Sequence, residues 1–244
     1  MATVTSLVAR RPRAFVRVAG TDACDYLQRM VSNDVEALAV GGSCDALLLT
    51  PKARVIAPLR VWRRGEADFL LSTEPELGER MRSELLRSRF AVKAEIEPEE
   101  HESWLVLGVG EVLDTKPDGE EVGEEALERW RIESGIPHWG REIDDRVLPA
   151  EAGLTETHVS FSKGCYPGQE PIARQHYRGK LNRRLRVLAL EGDDVPGYDA
   201  EIVHQGKVVG RITSAVAGLA LGYVRTEVPD DAELSVNGVR ARLH

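Results

Sequence analysis

Apolar positions recur at two spacings along this chain, and the change from one to the other divides it. In the first half, strand-like and helical periods alternate. Ala14 to Val18 reads as a strand. Thr21 and Asp22 can cap the next segment, where Ala23, Tyr26, Leu27, Met30 and Val31 recur at helical spacing as far as Ser32-Asn33-Asp34. Cys44 to Thr50 and Arg54 to Trp62 read as a hairpin across the turn Pro51-Lys52-Ala53, and Phe69 to Leu71 reads as the next strand. A helix opens at Pro75 and runs through Leu77, Met81, Leu85 and Phe90, after which Val92 to Ile96 and Trp104 to Val109 return as strands. Glu124 to Ser134 is a further helix, ended by Gly135-Ile136-Pro137. Hairpins mixed with helical connections predict an α+β fold rather than a doubly wound parallel sheet.

After Arg184 the helical period disappears. Leu185 to Leu190, Ala200 to His204, Lys207 to Thr213, Leu219 to Val224, Glu233 to Val236 and Val239 to Leu243 are all strand-like. Gln205-Gly206 and Asn237-Gly238 are hairpin turns of the favoured kind. Six short strands predict a small β-barrel or sandwich, so the domain break is expected near Asn182, with an α+β region over 1–181 and a β-barrel domain over 182–244.

One stretch follows neither period. Lys163-Gly164-Cys165-Tyr166-Pro167-Gly168-Gln169-Glu170 sets a thiol, an ammonium, an amide and a carboxylate among glycines. Pro167-Gly168 suits positions i+1 and i+2 of a type II turn, because glycine reaches positive φ at little cost. Pro171 can then open a short helix that Gly179 ends, which holds Cys165 and Gln169 near a helix start, where a chain offers backbone donors to a ligand.

Charge sharpens this picture. The 244 residues carry a net charge of −8, which argues against a general nucleic-acid binder. From Glu95 to Glu133 there are fourteen acids against three Lys/Arg, whereas Lys163 to Arg186 carries seven basic residues and one acid. The basic run overlaps the unusual octapeptide, so an anionic ligand is a candidate. With 42% hydrophobic residues and no long apolar run, no membrane partner is expected. The start of the chain lacks the pattern of a secretory signal, and a cytoplasmic location is expected.

Three cysteines are too few and too scattered for a disulfide framework or a paired zinc site, so no metal is expected. Cys24 and Cys44 sit in core-patterned segments. Cys165 alone has a polar, glycine-flanked setting, in which Lys163 can lower the thiol pKa. Glu133 stands near a helix C-terminus, mildly against the helix dipole. It either pairs with a nearby arginine or accepts adjacent N–H donors of a ligand such as a 2-amino-4-oxo heterocycle. Phosphate-loop and dinucleotide-binding motifs are absent, and no carboxylate pair is singled out by spacing.

Lys163 to Glu170 resembles the K-G-C-x-x-G-Q-E signature of the YgfZ-type folate-binding proteins. These are relatives of the glycine-cleavage aminomethyltransferase (T-protein) and include a mitochondrial iron–sulfur assembly factor. Four further blocks are similar and stand in family order: Tyr26 to Val35 (L-Q-x-x-x-[ST]-N-D), Arg131 to Pro137 (R-x-E-x-G-x-P), Gly210 to Ser214, and Ala220 to Val224. The resemblance implies a folate-binding α+β region around a central hole, closed by a small β-barrel, with tetrahydrofolate as cofactor. It implies folate contacts at Glu133, Gly164, Gln169 and Arg174, and motif chemistry at Cys165 and Lys163. The basic run would suit the glutamate tail of folate. Where the aminomethyltransferase carries its catalytic acid, this chain has Ala57 and Pro58, neither of which relays a proton, so glycine-cleavage activity is not expected. The resemblance therefore implies an accessory protein for iron–sulfur enzymes, with iron–sulfur proteins or assembly factors as partners. The alternatives are a folate-dependent aminomethyltransferase or demethylase, and a folate-binding module without chemistry.

Overall fold

The computed structural model describes residues 6–244; residues 1–5, part of the start in which no secretory signal is expected, lie outside them. The elements run β1 (Leu7–Arg10), β2 (Ala14–Ala19), α1 (Ala23–Met30), β3 (Ser43–Leu49), β4 (Val55–Gly65) and β5 (Asp68–Thr73). A 3₁₀ turn at Pro75–Leu77 leads into α2 (Gly78–Ser88), followed by β6 (Glu95–Glu99), β7 (Ser103–Val106), β8 (Gly110–Leu113), β9 (Glu120–Glu121) and α3 (Glu124–Glu133). Two further helices, α4 (Thr155–His158) and α5 (Gln169–Arg178), precede β10 (Arg183–Leu190), β11 (Glu201–His204), β12 (Lys207–Val216), β13 (Leu219–Arg225), β14 (Leu234–Val236) and β15 (Val239–Leu243).

The chain forms two compact units. The first comprises Met1–Glu121 with Leu154–Arg174, and the second comprises Val122–Gly153 with Gln175–His244. Residues 122–153 and 175–181 are thus grouped with the barrel strands.

In the first unit, β3-β4-β5-β2-β6 form a five-stranded sheet and β8-β7-β1-β9 a four-stranded one. β2 buries Phe15, Val16 and Val18, β5 is buried on both faces from Phe69 to Thr73, and α1 buries Ala23, Tyr26, Leu27 and Met30 on one stripe. The Tyr26 hydroxyl donates to the Leu85 carbonyl at 2.5 Å, which ties α1 to α2. Phe90, expected to continue the apolar stripe of α2, does not. The helix stops at Ser88, Ala91 takes φ +58°, and the ring is 95% exposed. The outer strand β6 alternates Glu95, Glu97 and Glu99 with an exposed Pro98, which blunts its free edge against pairing.

The second unit holds the closed barrel β10-β13-β12-β11-β14-β15, all neighbours antiparallel. Gln205-Gly206 and Asn237-Gly238 have positive φ at both residues, as a two-residue hairpin turn requires. Leu188, Ile202, Ile212, Ala220, Leu234 and Val236 fill its core. Among the described residues, no helix is long and apolar enough to cross a membrane.

Candidate functional site

The octapeptide is a loop pinned at alternate places. Gln169 N donates to the Tyr166 carbonyl at 3.3 Å across Pro167-Gly168, and Gly168 has φ +84°, which gives the expected turn. A Cβ on Gly168 would lie 2.8 Å from the Thr50 carbonyl oxygen and 3.1 Å from Ala53 Cα, so the glycine also lets the turn close on the β3–β4 hairpin. Ala53 itself is buried at φ +57°. Lys163, Tyr166 and Gly168 are buried, whereas Gly164 and Cys165 are exposed. A Cβ at Gly164 would meet nothing within 4 Å. The loop therefore shows the solvent a free thiol beside open backbone. The helix begins at Gln169, two residues before Pro171; Gln169 is half-buried, and Arg174 is exposed with no ion pair among the described residues.

The first resembling block is what the loop is pinned to. Val31 bridges Leu48 on the outer strand β3, Ser32 N donates to the Leu47 carbonyl, and Ser32 Oγ accepts from Leu47 N at 2.8 Å. Asn33 Nδ2 donates to the Asp45 and Thr157 carbonyls, and Ser32 Oγ donates to the His158 carbonyl. Short side chains thus cover the polar edge of β3, where a neighbouring strand would otherwise sit. Gln28 fastens the following turn, donating to Asp34 and accepting from Val35 N and Glu36 N.

Lys163 completes this knot. Its Nζ donates to the carbonyls of Gln28, Val31 and Asn33 at 2.6, 2.7 and 2.8 Å, which uses all three ammonium hydrogens. The acceptors lie at and beyond the C-terminal end of α1, where a cation is favoured. The Tyr166 ring lies 5.3 Å away on another side. Burial presses the Lys163 pKa down to about 8, which leaves it mostly charged at neutral pH. The three ammonium hydrogens of Lys163, expected to activate Cys165, are thus taken up by backbone oxygens. Burial pushes the thiol of Cys44 up to about 11, despite the nearby Lys163, so that cysteine is a packing residue, as expected.

In the second unit, the block around Glu133 separates into a buried half and an exposed half. Arg131 is buried, and its five N–H groups all find acceptors: Nε and one Nη2 hydrogen on Glu128, Nη1 on Ile136 O and Glu142, and the other Nη2 hydrogen on Ser214 Oγ. Glu142, 0% exposed, also accepts from His138 N at 2.9 Å and Ser214 Oγ at 2.7 Å, and its carbonyl takes the Tyr223 hydroxyl at 2.7 Å. Burial works against the Arg131 charge, but its bonds to Glu128 and the pull of Glu142 outweigh that and hold its pKa above the ordinary value. Three of the resembling blocks, through Arg131, Ser214 and Tyr223, thus meet on Glu142. Nothing in the sequence singled out that residue among the acids around it. Glu133, two residues from Arg131, points the other way. It is exposed at the end of α3 and has no hydrogen bond or ion pair among the described residues, so the arginine partner weighed above is not found there. Gly135 at φ +66° ends the helix, with Ile136 N bonded to Arg131 O.

Ala57 and Pro58 lie in β4 opposite Leu48 and Leu47, and Ala57 is fully buried. No group of three His, Cys, Asp or Glu side chains among the described residues could hold a metal ion.

Residues 182–244 match the model of the CAF17 C-terminal beta-barrel domain. A tRNA-modifying protein YgfZ of Pectobacterium carotovorum is 27% identical, over 81% of this chain and 74% of that protein. The mitochondrial iron–sulfur cluster assembly factor IBA57 of Mus musculus is 32% identical over 41% of this chain and 30% of its own length. An aminomethyltransferase of Synechocystis is 26% identical over 93% of this chain, and the chain spans about half the length, 55%, of that relative. The crystal structure of the glycine cleavage system aminomethyltransferase T from Bartonella henselae superposes with a TM-score of 0.85 at 17% identity, covering 98% of this chain and 85% of that one. The aminomethyltransferase fold, the matching barrel and relatives of both kinds together support the resemblance to YgfZ-type members of the aminomethyltransferase superfamily.

Proposed function

We propose that this chain is a tetrahydrofolate-binding accessory protein that supports assembly or repair of iron–sulfur enzymes in the cytoplasm, with Cys165 as its exposed thiol. The observation that carries the reading is the pairing of an aminomethyltransferase fold with an exposed cysteine on a pinned loop, and with Ala57 and Pro58 where the family resemblance implies an acid. The chemistry then rests on the thiol rather than on proton relay at the folate amine. The mouse relative is an iron–sulfur cluster assembly factor.

Single residues support folate as the ligand. The unpaired Glu133 carboxylate fits the adjacent N–H donors of a pterin ring. Arg174, which meets no carboxylate among the described residues, suits an acidic group such as a glutamate tail, and the open space beside Gly164 admits a close approach. Gln169 supplies an amide at the helix start. One cysteine cannot hold a stable cluster alone, so any cluster would be shared with a client protein. When bound, folate would supply a one-carbon carrier.

Calorimetric titration of the purified protein with tetrahydrofolate is expected to show binding that Glu133→Ala weakens by about tenfold or more, the loss of a charge-assisted contact. A cell whose only copy carries Cys165→Ala is expected to lose iron–sulfur enzyme activity. Undiminished binding in the first variant refutes the pterin placement, and normal activity in the second refutes the role of the thiol. The aminomethyltransferase relatives favour a second reading, folate-dependent aminomethyl transfer. It predicts methylene-tetrahydrofolate formation that survives Cys165→Ala.

A further inference from the structure

Cys165 sits two residues from a lysine, and the obvious use of such a neighbour is to stabilise a thiolate. The geometry assigns Lys163 a different task. Its ammonium is enclosed by the carbonyls of Gln28, Val31 and Asn33 and by the Tyr166 ring, and Lys163 is 8% exposed. Cys165 lies on the solvent side of the same loop.

The three acceptors have a common property. They belong to the segment that covers the edge of β3, and that segment is otherwise held by Ser32 and Asn33. Ser160, at the base of the loop, is bonded to the same segment through Ser160 N and Ser32 O at 3.0 Å, and Ser160 Oγ accepts from Lys163 N at 3.3 Å. At its far end the loop is fixed by Gly168 against the β3–β4 turn. Between these two anchors Ser162, Gly164 and Cys165 face outward, and Ser162 is bonded back to Ser160.

We infer that Lys163 is a positioning residue: it ties the Cys165 loop to the end of α1 and to the cover of β3, and does not act on the sulfur. This rests on the reading of Cys165 as the functional thiol, but its test needs neither folate nor a client. The two failures can therefore be told apart.

The test uses the full chain with Cys24→Ala and Cys44→Ala, which leaves Cys165 as the single thiol. Alkylation by iodoacetamide, in which sulfur displaces iodide from carbon, is followed against pH. An activating ammonium within reach of the sulfur would shift the midpoint upward by about 1–3 pH units once removed. The midpoint is expected to stay where it is in Lys163→Met. Hydrogen exchange is expected to accelerate about tenfold over residues 28–35 and 160–168 together, and to remain unchanged over the barrel strands. Ser32→Ala keeps the ammonium but loosens the segment it holds, and is expected to reproduce the exchange change, also without moving the midpoint. This second variant decides the matter if Lys163→Met fails to fold. A midpoint shift of a pH unit in Lys163→Met overturns the inference. So does exchange that rises in the loop of either variant without rising over 28–35.

Discussion

Removal of the Glu142 carboxylate gives the sharpest stability test of the second unit. In Glu142→Ala the Arg131 guanidinium loses one partner, and Ser214 O–H and His138 N–H lose theirs, around a carboxylate that is fully buried. Glu128 still holds Nε and Nη2 of Arg131, so the cation is not fully orphaned. Breaking a buried ion pair from one side costs about 3–5 kcal/mol, and the remaining Glu128 bonds place this case toward the lower end. With a urea dependence of about 3 kcal/mol per molar, the unfolding midpoint falls by about 1 M or slightly more. Glu142→Gln keeps the shape and one acceptor oxygen but turns an NH₂ toward other donors, and is expected to lose about 1–3 kcal/mol. Circular dichroism and tryptophan fluorescence should be followed together, because two units need not unfold in one step. A double variant, Arg131→Met with Glu142→Leu, leaves no unpaired buried charge at these two positions and is expected to cost less than the sum of the single losses. A loss below about 1 kcal/mol in Glu142→Ala, or strict additivity in the double variant, refutes the view of Glu142 as the hub of this network.

Two further outcomes follow from local geometry. Gly168→Ala combines a left-handed backbone with a methyl 2.8 Å from the Thr50 oxygen, and is expected to lower stability by about 2–5 kcal/mol in a urea melt, whereas a loss under about 0.5 kcal/mol would mean that the turn opens freely. Burial works against a charged His101, but its bonds to Glu99 and Asp114 prevail and raise its pKa above the ordinary value. Its contribution, up to about 1 kcal/mol, is thus fully present below pH ~6.5 and lost as pH rises through the raised pKa; His101→Ala should flatten that part of the stability–pH curve, and an unchanged slope refutes the assignment.

The sequence made the barrel strands legible because their turns carry their own chemistry. Asn237-Gly238 and Gln205-Gly206 demand positive φ, and β15 falls at Val239–Leu243 as expected. The same local logic placed the Pro167-Gly168 turn. It could not see β9, two glutamates paired in parallel with Leu7 and Val8, since neither period nor propensity marks them. Nor could it see β8 or α4, which are four residues each. Phe90 misled for the opposite reason: its spacing matched α2, but spacing does not say where a helix ends. Around the candidate site, the motif singled out residues but not what they touch. The acceptors of Lys163 lie 130 to 135 positions earlier, and Glu142 gains its meaning from Ser214, 72 positions later.

The closed barrel also sets an order of events during synthesis. Strand β10 pairs with β13 and with β15, so it keeps one open edge until the last strand has left the ribosome. Arg131 and Glu142 emerge well before that and must wait for Ser214 and Tyr223 in water, as ions. The second unit is therefore a late and cooperative folder, rich in long-range contacts, while the sheet of β2 to β6 has all its strands within the first hundred residues. A nascent chain stalled before β15 would offer a bare strand edge on β10, and this is where a chaperone has most to protect.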